Sequence, residues 1–420
     1  DIQNRHANQH IPQIIGAIKM YEATVTAGQP EMYYYNVAEN FWQMTVSRYA
    51  YSTGGVGLGE KFTEPYKQAN YIGARNCETC AAYNMMKLSM MLNNYDPDNA
   101  EYMDYYERTL YNQILASQSP IVTDDKHNST TYMLPICPGA WKSSELSDDY
   151  NSFTCCHGTG MENHVKYQEA AYAKTADTLY VGLYLPSTVS WQEKGVKVVQ
   201  ETTFPSETTK LTVQKLGNAA AQSFDMKLRV PYWATKGFSV KVNGEQKIAN
   251  AQASTYVSLK GIKENDVIEV TMPWNLHLDK TPDTLDGSEV ASIMYGPFVM
   301  AAQDSSTNWL NIVLTTKLDD HITVSTNEQN GFPVLSSNGY QFVPMFAPEL
   351  AEQPYHAYVK VSVSPEGGVV WDKQQLANVI RTAESKIQSD YTADSWKKMQ
   401  DALTVANTAN GNAEASQAQV

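Results

Sequence analysis

Five cysteines carry the strongest chemical signal in this 420-residue chain, and all of them lie between residues 77 and 156. Cys77 and Cys80 bracket Glu78 and Thr79, Cys137 stands alone, and Cys155 and Cys156 are adjacent. A disulfide framework spreads its cysteines over the domains it staples and favours an even number. Adjacent cysteines also make a strained disulfide with each other. The clustering points instead to a metal site or a reactive thiolate.

Glu78, Cys80, Cys155 and Cys156 are the candidate ligands. Two short ligand groups from distant segments are a common way to enclose zinc, and thiolates suit Zn²⁺. A metal also holds a thiol of ordinary pKa about 8.5 as the thiolate at neutral pH, either as an inert ligand or as a stored nucleophile. The competing reading is structural: small buried cysteines that pack helical hairpins. Spacing alone leaves both open.

A nucleophilic thiolate needs an acid nearby. Glu60 and Glu64, in Gly59-Glu60-Lys61-Phe62-Thr63-Glu64, are candidates, with solvated loop carboxylates as the plainer alternative. The glycine-rich run Gly54–Gly59 permits unusual backbone angles beside a cleft. It lacks the Lys-Ser/Thr ending and the strand–helix frame of a phosphate loop. His6 and His10 stand four apart at a helix start, hence on one face. Hydrogen bonding to a substrate or capping of the helix fits them better than metal ligation. His157 and His164 flank the cysteine pair and could orient it. Asn128-Ser129-Thr130 matches a glycosylation sequon, a short pattern that carries little weight by itself.

The elements that must position these groups change character along the chain. Residues 1–176 read as stacked helical hairpins. Ile11, Ile14, Ile15 and Ile18 recur at helical spacing behind Pro12, and further helices are expected over 39–49, 79–95, 101–117 and 162–173. The cysteine pair then falls in a loop before the last of these. From residue 177 the period becomes two, with strands at 178–185, 224–230, 238–242, 267–272 and 290–301, and Asn243-Gly244 is a strong hairpin signal. The expected division is a β-sandwich over 177–285 and a second β-domain over 286–365. From residue 372 a polar helical pattern returns, with Leu376, Ile380, Ile387, Trp396, Met399 and Leu403 at core spacing. Net charge is −14, which disfavours nucleic acid as a partner. No apolar run reaches the roughly 18 residues of a membrane helix. The 27 tyrosines and 8 tryptophans suit sugar-stacking surfaces or a Tyr-rich helical core.

Four stretches together resemble a known group. They are Asn4–Gly16, the Gly-Gly…Gly-Glu60-x-Phe62 run, Glu78-Thr79-Cys80-Ala81-Ala82, and Cys155-Cys156-His157-Gly158-Thr159-Gly160-Met161-Glu162-Asn163. In combination they look like the β-L-arabinofuranosidases of glycoside hydrolase families 127 and 146, the last stretch being closer to family 146. The resemblance covers about residues 1–365. It implies a multidomain α plus β architecture: part of an (α/α)6 barrel, then β-sandwich domains. It further implies a retaining exo-enzyme that releases β-L-arabinofuranose from plant polysaccharide or oligosaccharide through a zinc-bound cysteine nucleophile. On that resemblance Cys155 is the nucleophile. Glu78, Cys80 and Cys156 complete the Zn²⁺ site, and Glu60 is the acid/base. His10, His6 and Tyr132 hold sugar hydroxyls. Residues 372–420, with Tyr391-Thr392-x-x-Ser395-Trp396, resemble the helical FIVAR module of secreted bacterial glycosidases, which implies a secreted, periplasmic or cell-surface protein. The chain reads as a piece lacking the first half of the barrel. The alternative function is a non-catalytic carbohydrate-binding or scaffold protein with a structural zinc.

Overall fold

The computed structural model describes residues 2–127, 129–142, 146–364 and 374–411. Asn128 of the sequon and the first residues of the expected tail module lie outside them. Five α-helices precede the first strand among the described residues: α1 (Ala7–Thr26), α2 (Met32–Arg48), α3 (Thr79–Asn93), α4 (Ala100–Thr109) and α5 (Cys155–Asn163). That is fewer than half of the helices in a complete (α/α)6 ring. Helix α1 begins five residues before Pro12, which sits inside it at the cost of one helical hydrogen bond. Helix α3 is buried on nearly all sides, from Thr79 and Cys80 through Met85, Leu88 and Leu92. It packs against α1, α2, α4 and α5 and is the axis of the helical part.

Helix α4 continues into a π-helical stretch, Leu110–Leu115. Its consecutive residues Asn112 and Gln113 bond to two different segments. The Asn112 amide spans Pro297 O (2.8 Å) and Val299 N (2.7 Å), while Gln113 Nε2 donates to Cys77 O (2.9 Å).

Two corrections concern the region around the cysteine pair. Cys155 and Cys156 open helix α5 rather than sitting in a loop, and the helix ends at Asn163 where one was expected to begin. Gly158 and Gly160 lower the helical propensity enough to hide α5 from a periodicity reading, while Thr154 caps it by accepting from His157 N. The chain is already extended at Tyr172–Lys174, which pairs with Thr178–Val181.

Residues 172–271 form a sandwich of a four-stranded and a six-stranded sheet. Its core includes Leu179, Val198, Leu211, Leu228, Trp233, Phe238 and Ile268, each fully buried large apolar side chain being worth roughly 1.5–3 kcal/mol. Asn243 and Gly244 both have positive φ (52° and 80°), as the two-residue hairpin requires. The strand Leu276–Leu285, placed at the end of the sandwich by the sequence reading, pairs with Ser288–Tyr295 in a third, nine-stranded sheet. Asp286-Gly287, with φ of 50° and 76°, makes the turn between them. The expected strand 290–301 is two strands, Ser288–Tyr295 and Phe298–Gln303, folded back at Gly296, where a Cβ would meet the Trp274 ring at 2.6 Å.

The third sheet is not a separate bead. Ala291, Ile293, Phe298 and Met300 share one core with Ala82, Tyr83, Met86, Tyr106 and Ile114 of α3, α4 and the π-helical stretch. Arg229 of the sandwich is fully buried against α4, bonding Asp104 and, at 2.6 Å, Glu107. Its Nε donates to Gly182 O at 2.7 Å. Helices α6 (Gln374–Glu384) and α7 (Ala393–Gly411) pack on each other. Arg381 of α6 reaches Glu101 (3.6 Å) and Ser254 O (3.0 Å). Ile380 is buried as expected, whereas Ile387 is exposed.

Candidate functional site

Helices α3 and α5 bring their N-termini together. Glu78 is the N-cap of α3, Cys80 lies in its first turn, and Cys155 and Cys156 are the first two residues of α5. Their ligand atoms all lie within 4.8 Å of one another. Helix N-termini carry partial positive charge, which favours thiolates and carboxylates placed there. Glu78 does not cap its own helix. Its Oε1 faces Cys156 Sγ at 3.8 Å, and its Oε2 is buried without a partner.

The groups of the cluster shift one another's protonation. Burial, followed by the negative charges of Cys80 and Glu60, pushes the Glu78 carboxyl up to about 8. A hydrogen bond from Cys156 brings the Cys80 thiol down to about 7, and that same bond holds Cys156 far above its ordinary value. Burial raises Cys155. Three thiols, a carboxylate and an orphaned carboxylate oxygen in so small a space fit a zinc ion with bonds of about 2.0–2.3 Å. The cluster can therefore hold a metal ion. Cys77 is not part of it: its sulfur packs on Thr53 Oγ1 at 3.7 Å, and burial pushes its thiol up to about 12. Cys137 lies apart, half-buried.

Exposure divides the cluster. Glu78, Cys80 and Cys156 are buried, whereas Cys155 is exposed. Cys155 Sγ lies 3.3 Å from the Tyr132 hydroxyl, which donates to Glu60 Oε1. Burial, and then hydrogen bonds to Cys155 and Glu60, hold the Tyr132 phenol well above its ordinary range, so it stays protonated. Tyr132 reaches this position because the strand-like backbone around it pairs with the start of α3, through Thr79 N to Tyr132 O (3.1 Å) and the Glu78–Met133 bridge.

Glu60 is aimed by a two-residue hairpin. Leu58 and Lys61 exchange both backbone hydrogen bonds (2.9 and 3.2 Å), and Gly59 and Glu60 between them have φ of 56° and 68°. A non-glycine residue at positive φ costs on the order of 1 kcal/mol and persists where its surroundings fix it. The N-terminal segment does the fixing: Ala7 N donates to Glu60 O (2.8 Å) and His6 bridges to Lys61. His6 Nε2 thereby lies 3.4 Å from Glu60 Oε2.

Of the residues singled out in the sequence, the fold brings together Glu60, Glu78, Cys80, Tyr132, Cys155, Cys156 and His6. His6 faces Glu60, and Tyr132 links Glu60 to Cys155. His10 bonds its own helix at His6 O (3.1 Å). Glu64 is exposed. His157 supports the turn before Cys155 through Thr154 Oγ1 (3.0 Å) and Ser152 O (3.1 Å), while His164 pairs with the Tyr167 hydroxyl (2.5 Å). Sequence reasoning missed Thr159, whose hydroxyl lies 2.9 Å from Cys80 Sγ. Recognising α5 as a helix would have found it, since Thr159 falls four residues after Cys155 on the same face.

The chain is similar to known proteins. Residues 1–169 match the β-L-arabinofuranosidase GH127 catalytic domain and residues 178–274 the GH127 middle domain. A non-reducing end β-L-arabinofuranosidase of Bifidobacterium longum subsp. longum is 24% identical over 284 residues, 64% of this chain and 42% of that protein. A solved GH127 β-arabinofuranosidase superposes with a TM-score of 0.67 at 22% identity, covering 87% of this chain and 62% of its own. A GH127 β-L-arabinofuranosidase from Geobacillus stearothermophilus T6 gives 0.66 at 20% identity, covering 86% and 61%. The chain thus spans less than half of the curated relative and about three fifths of each of these structures. Two successive domains of one family, in order and together over most of the chain, agree with the fold: the chain belongs to glycoside hydrolase family 127.

Proposed function

We propose that the protein is a retaining exo-glycoside hydrolase that releases β-L-arabinofuranose from plant glycans, with Cys155 as nucleophile and Glu60 as acid/base. One observation carries this reading. Of four clustered donors, Cys155 alone is exposed, and the Tyr132 hydroxyl joins it to Glu60. Glu78, Cys80, Cys155 and Cys156 would hold Zn²⁺, which supplies the positive charge that keeps clustered thiols ionised at neutral pH. The Cys155 sulfur attacks the anomeric carbon while Glu60 gives its proton to the departing glycosidic oxygen. The C–O bond breaks as the C–S bond forms, and Tyr132 holds Glu60 in line. Glu60, now a carboxylate, takes a proton from water. The hydroxide replaces the sulfur at the anomeric carbon, so two inversions give net retention. His6 and His10 remain proposed contacts of the sugar hydroxyls.

The test is turnover of p-nitrophenyl β-L-arabinofuranoside. Cys155→Ser should abolish it, and wild-type turnover in that variant would overturn the assignment. The second reading, a carbohydrate binder with a structural zinc, is favoured by the four protein donors, which close a tetrahedral site. A furanose epoxide of the cyclophellitol type separates the two. It should add one mass equivalent at Cys155 in the enzyme and none in the binder.

We also propose that the helical part belongs to an (α/α)6 barrel, that α6 and α7 are a FIVAR-like module, and that the protein acts outside the bacterial cytoplasm. The support is the resemblance of residues 372–420 to modules of secreted glycosidases and the size of a polysaccharide substrate. Fractionation of the producing cell tests the location, and recovery in the cytoplasm would reject it.

A further inference from the structure

Helix α5 presents three groups to the cluster. Cys155, Cys156 and Thr159 fall at positions i, i+1 and i+4, on one side of the helix. The Thr159 hydroxyl turns across to α3 and meets Cys80 Sγ at 2.9 Å, bridging segments 79 residues apart. Helix α5 packs closely on the segment of Thr130, since a Cβ at Gly160 would come 2.9 Å from Thr130 Oγ1. A thiolate has no proton to give, so in the ionised cluster the hydroxyl donates and the sulfur accepts.

We propose that Thr159 is a positioning residue of the metal centre, whose hydroxyl holds Cys80 as a fixed anchor and so leaves Cys155 as the thiol free to move. This rests on the metal reading given above. Groups that hydrogen-bond to a ligand orient it and tune its donation, and their removal typically costs 10–100-fold in metal affinity. Cys80 receives such support from Thr159. Cys155 stands exposed, with Tyr132 as its hydrogen-bonding neighbour. The cluster is thereby asymmetric by construction: it is anchored on α3 and open at the tip of α5.

Cobalt(II) substitution reads this without turnover. The wild-type chain, titrated with Co²⁺ alone under reducing conditions, should show thiolate-to-cobalt absorption, and competition with a chelator gives the affinity. Thr159→Val and Thr159→Ala, the second removing the hydroxyl without adding a methyl against Cys80, should lose about 10-fold or more. Thr159→Ser should stay near wild type. Far-UV circular dichroism confirms that each variant folds, and Thr159→Ala is read alone if Thr159→Val does not. Wild-type affinity in the hydroxyl-free variants overturns the inference and leaves the proposed function standing. Equal loss in Thr159→Ser and Thr159→Ala also overturns it, by showing that packing rather than the hydroxyl matters. Absence of the thiolate–cobalt band in the wild type removes the metal reading and this inference with it.

Discussion

The Tyr132 hydroxyl lies 3.3 Å from Cys155 Sγ and donates to Glu60 Oε1, so a single phenol connects the proposed nucleophile to the proposed acid/base. Tyr132→Phe removes that connection without changing the packing of the ring. It should lower kcat by roughly 10-fold or more, since misplaced proton transfer forfeits part of the 10²–10⁴-fold that a positioned acid/base contributes. Substrate KM should change much less. Steady-state kinetics check this, and an unchanged kcat would remove Tyr132 from the machinery.

Glu60 and Glu64 separate on leaving-group dependence. Glu60→Gln should lower turnover by about 10²-fold or more on a substrate with a poor leaving group. The loss should be much smaller with p-nitrophenolate, which needs little protonation. Glu64→Gln should behave as wild type on both, because Glu64 is exposed on the surface. The reverse ranking would move the acid to Glu64.

Metal removal should act locally. The four candidate ligands belong to α3 and α5, and the strands after residue 171 contribute none. Chelation should abolish activity and raise hydrogen exchange in residues 52–80 and 130–160, while residues 177–364 keep their protection. Unchanged exchange around Cys80 and Cys155 after verified metal loss would sink the site.

The join between the helices and the sandwich rests on a buried ionic network. Arg229 bonds Asp104 and Glu107, Trp233 Nε1 donates to Glu107 Oε2 (2.8 Å), and Ser254 Oγ donates to Asp104 Oδ2 (2.5 Å). Arg229→Ala strands two carboxylates out of water and should cost about 3–5 kcal/mol. Urea denaturation followed by tryptophan fluorescence measures it. A loss below about 1 kcal/mol would show the network to be dispensable.

Lys142 gives a pH signature of stability. It is buried, its ammonium donates to Met345 O, and burial lowers its pKa from 10.5 to about 7. Between pH 7 and 10.5 the unfolded chain binds the proton more tightly than the folded one, so this residue makes stability rise with pH across that window. Lys142→Met removes the ionisable group at similar volume. The variant should be more stable than wild type at pH 7, by up to a few kcal/mol at roughly 1.4 kcal/mol per pKa unit, with the gap narrowing towards pH 10. Denaturation at both pH values checks the sign, and a gap that widens with pH would contradict it.

Much of the architecture was legible in the residues. The clustering of all five cysteines before residue 157, and the change of period from helical to alternating near residue 177, are local features of composition and spacing. Each of them survives in the folded protein: the four candidate ligands converge, and the sandwich begins at Tyr172. Asn243-Gly244 also specified its own hairpin, because positive φ at both positions is a property of those residues. What the tertiary structure decided is who meets whom. Periodicity reports which face of an element is buried but not which neighbour buries it, so the sheet under α3 and α4 could not be read from its strands. Glycines hid helix α5, and with it Thr159. The choice of Glu60 over Glu64 as neighbour of Cys155 depends on a turn held at positive φ by the segment around His6. Such contacts join residues tens of positions apart, and only close packing of the whole chain sets their distances.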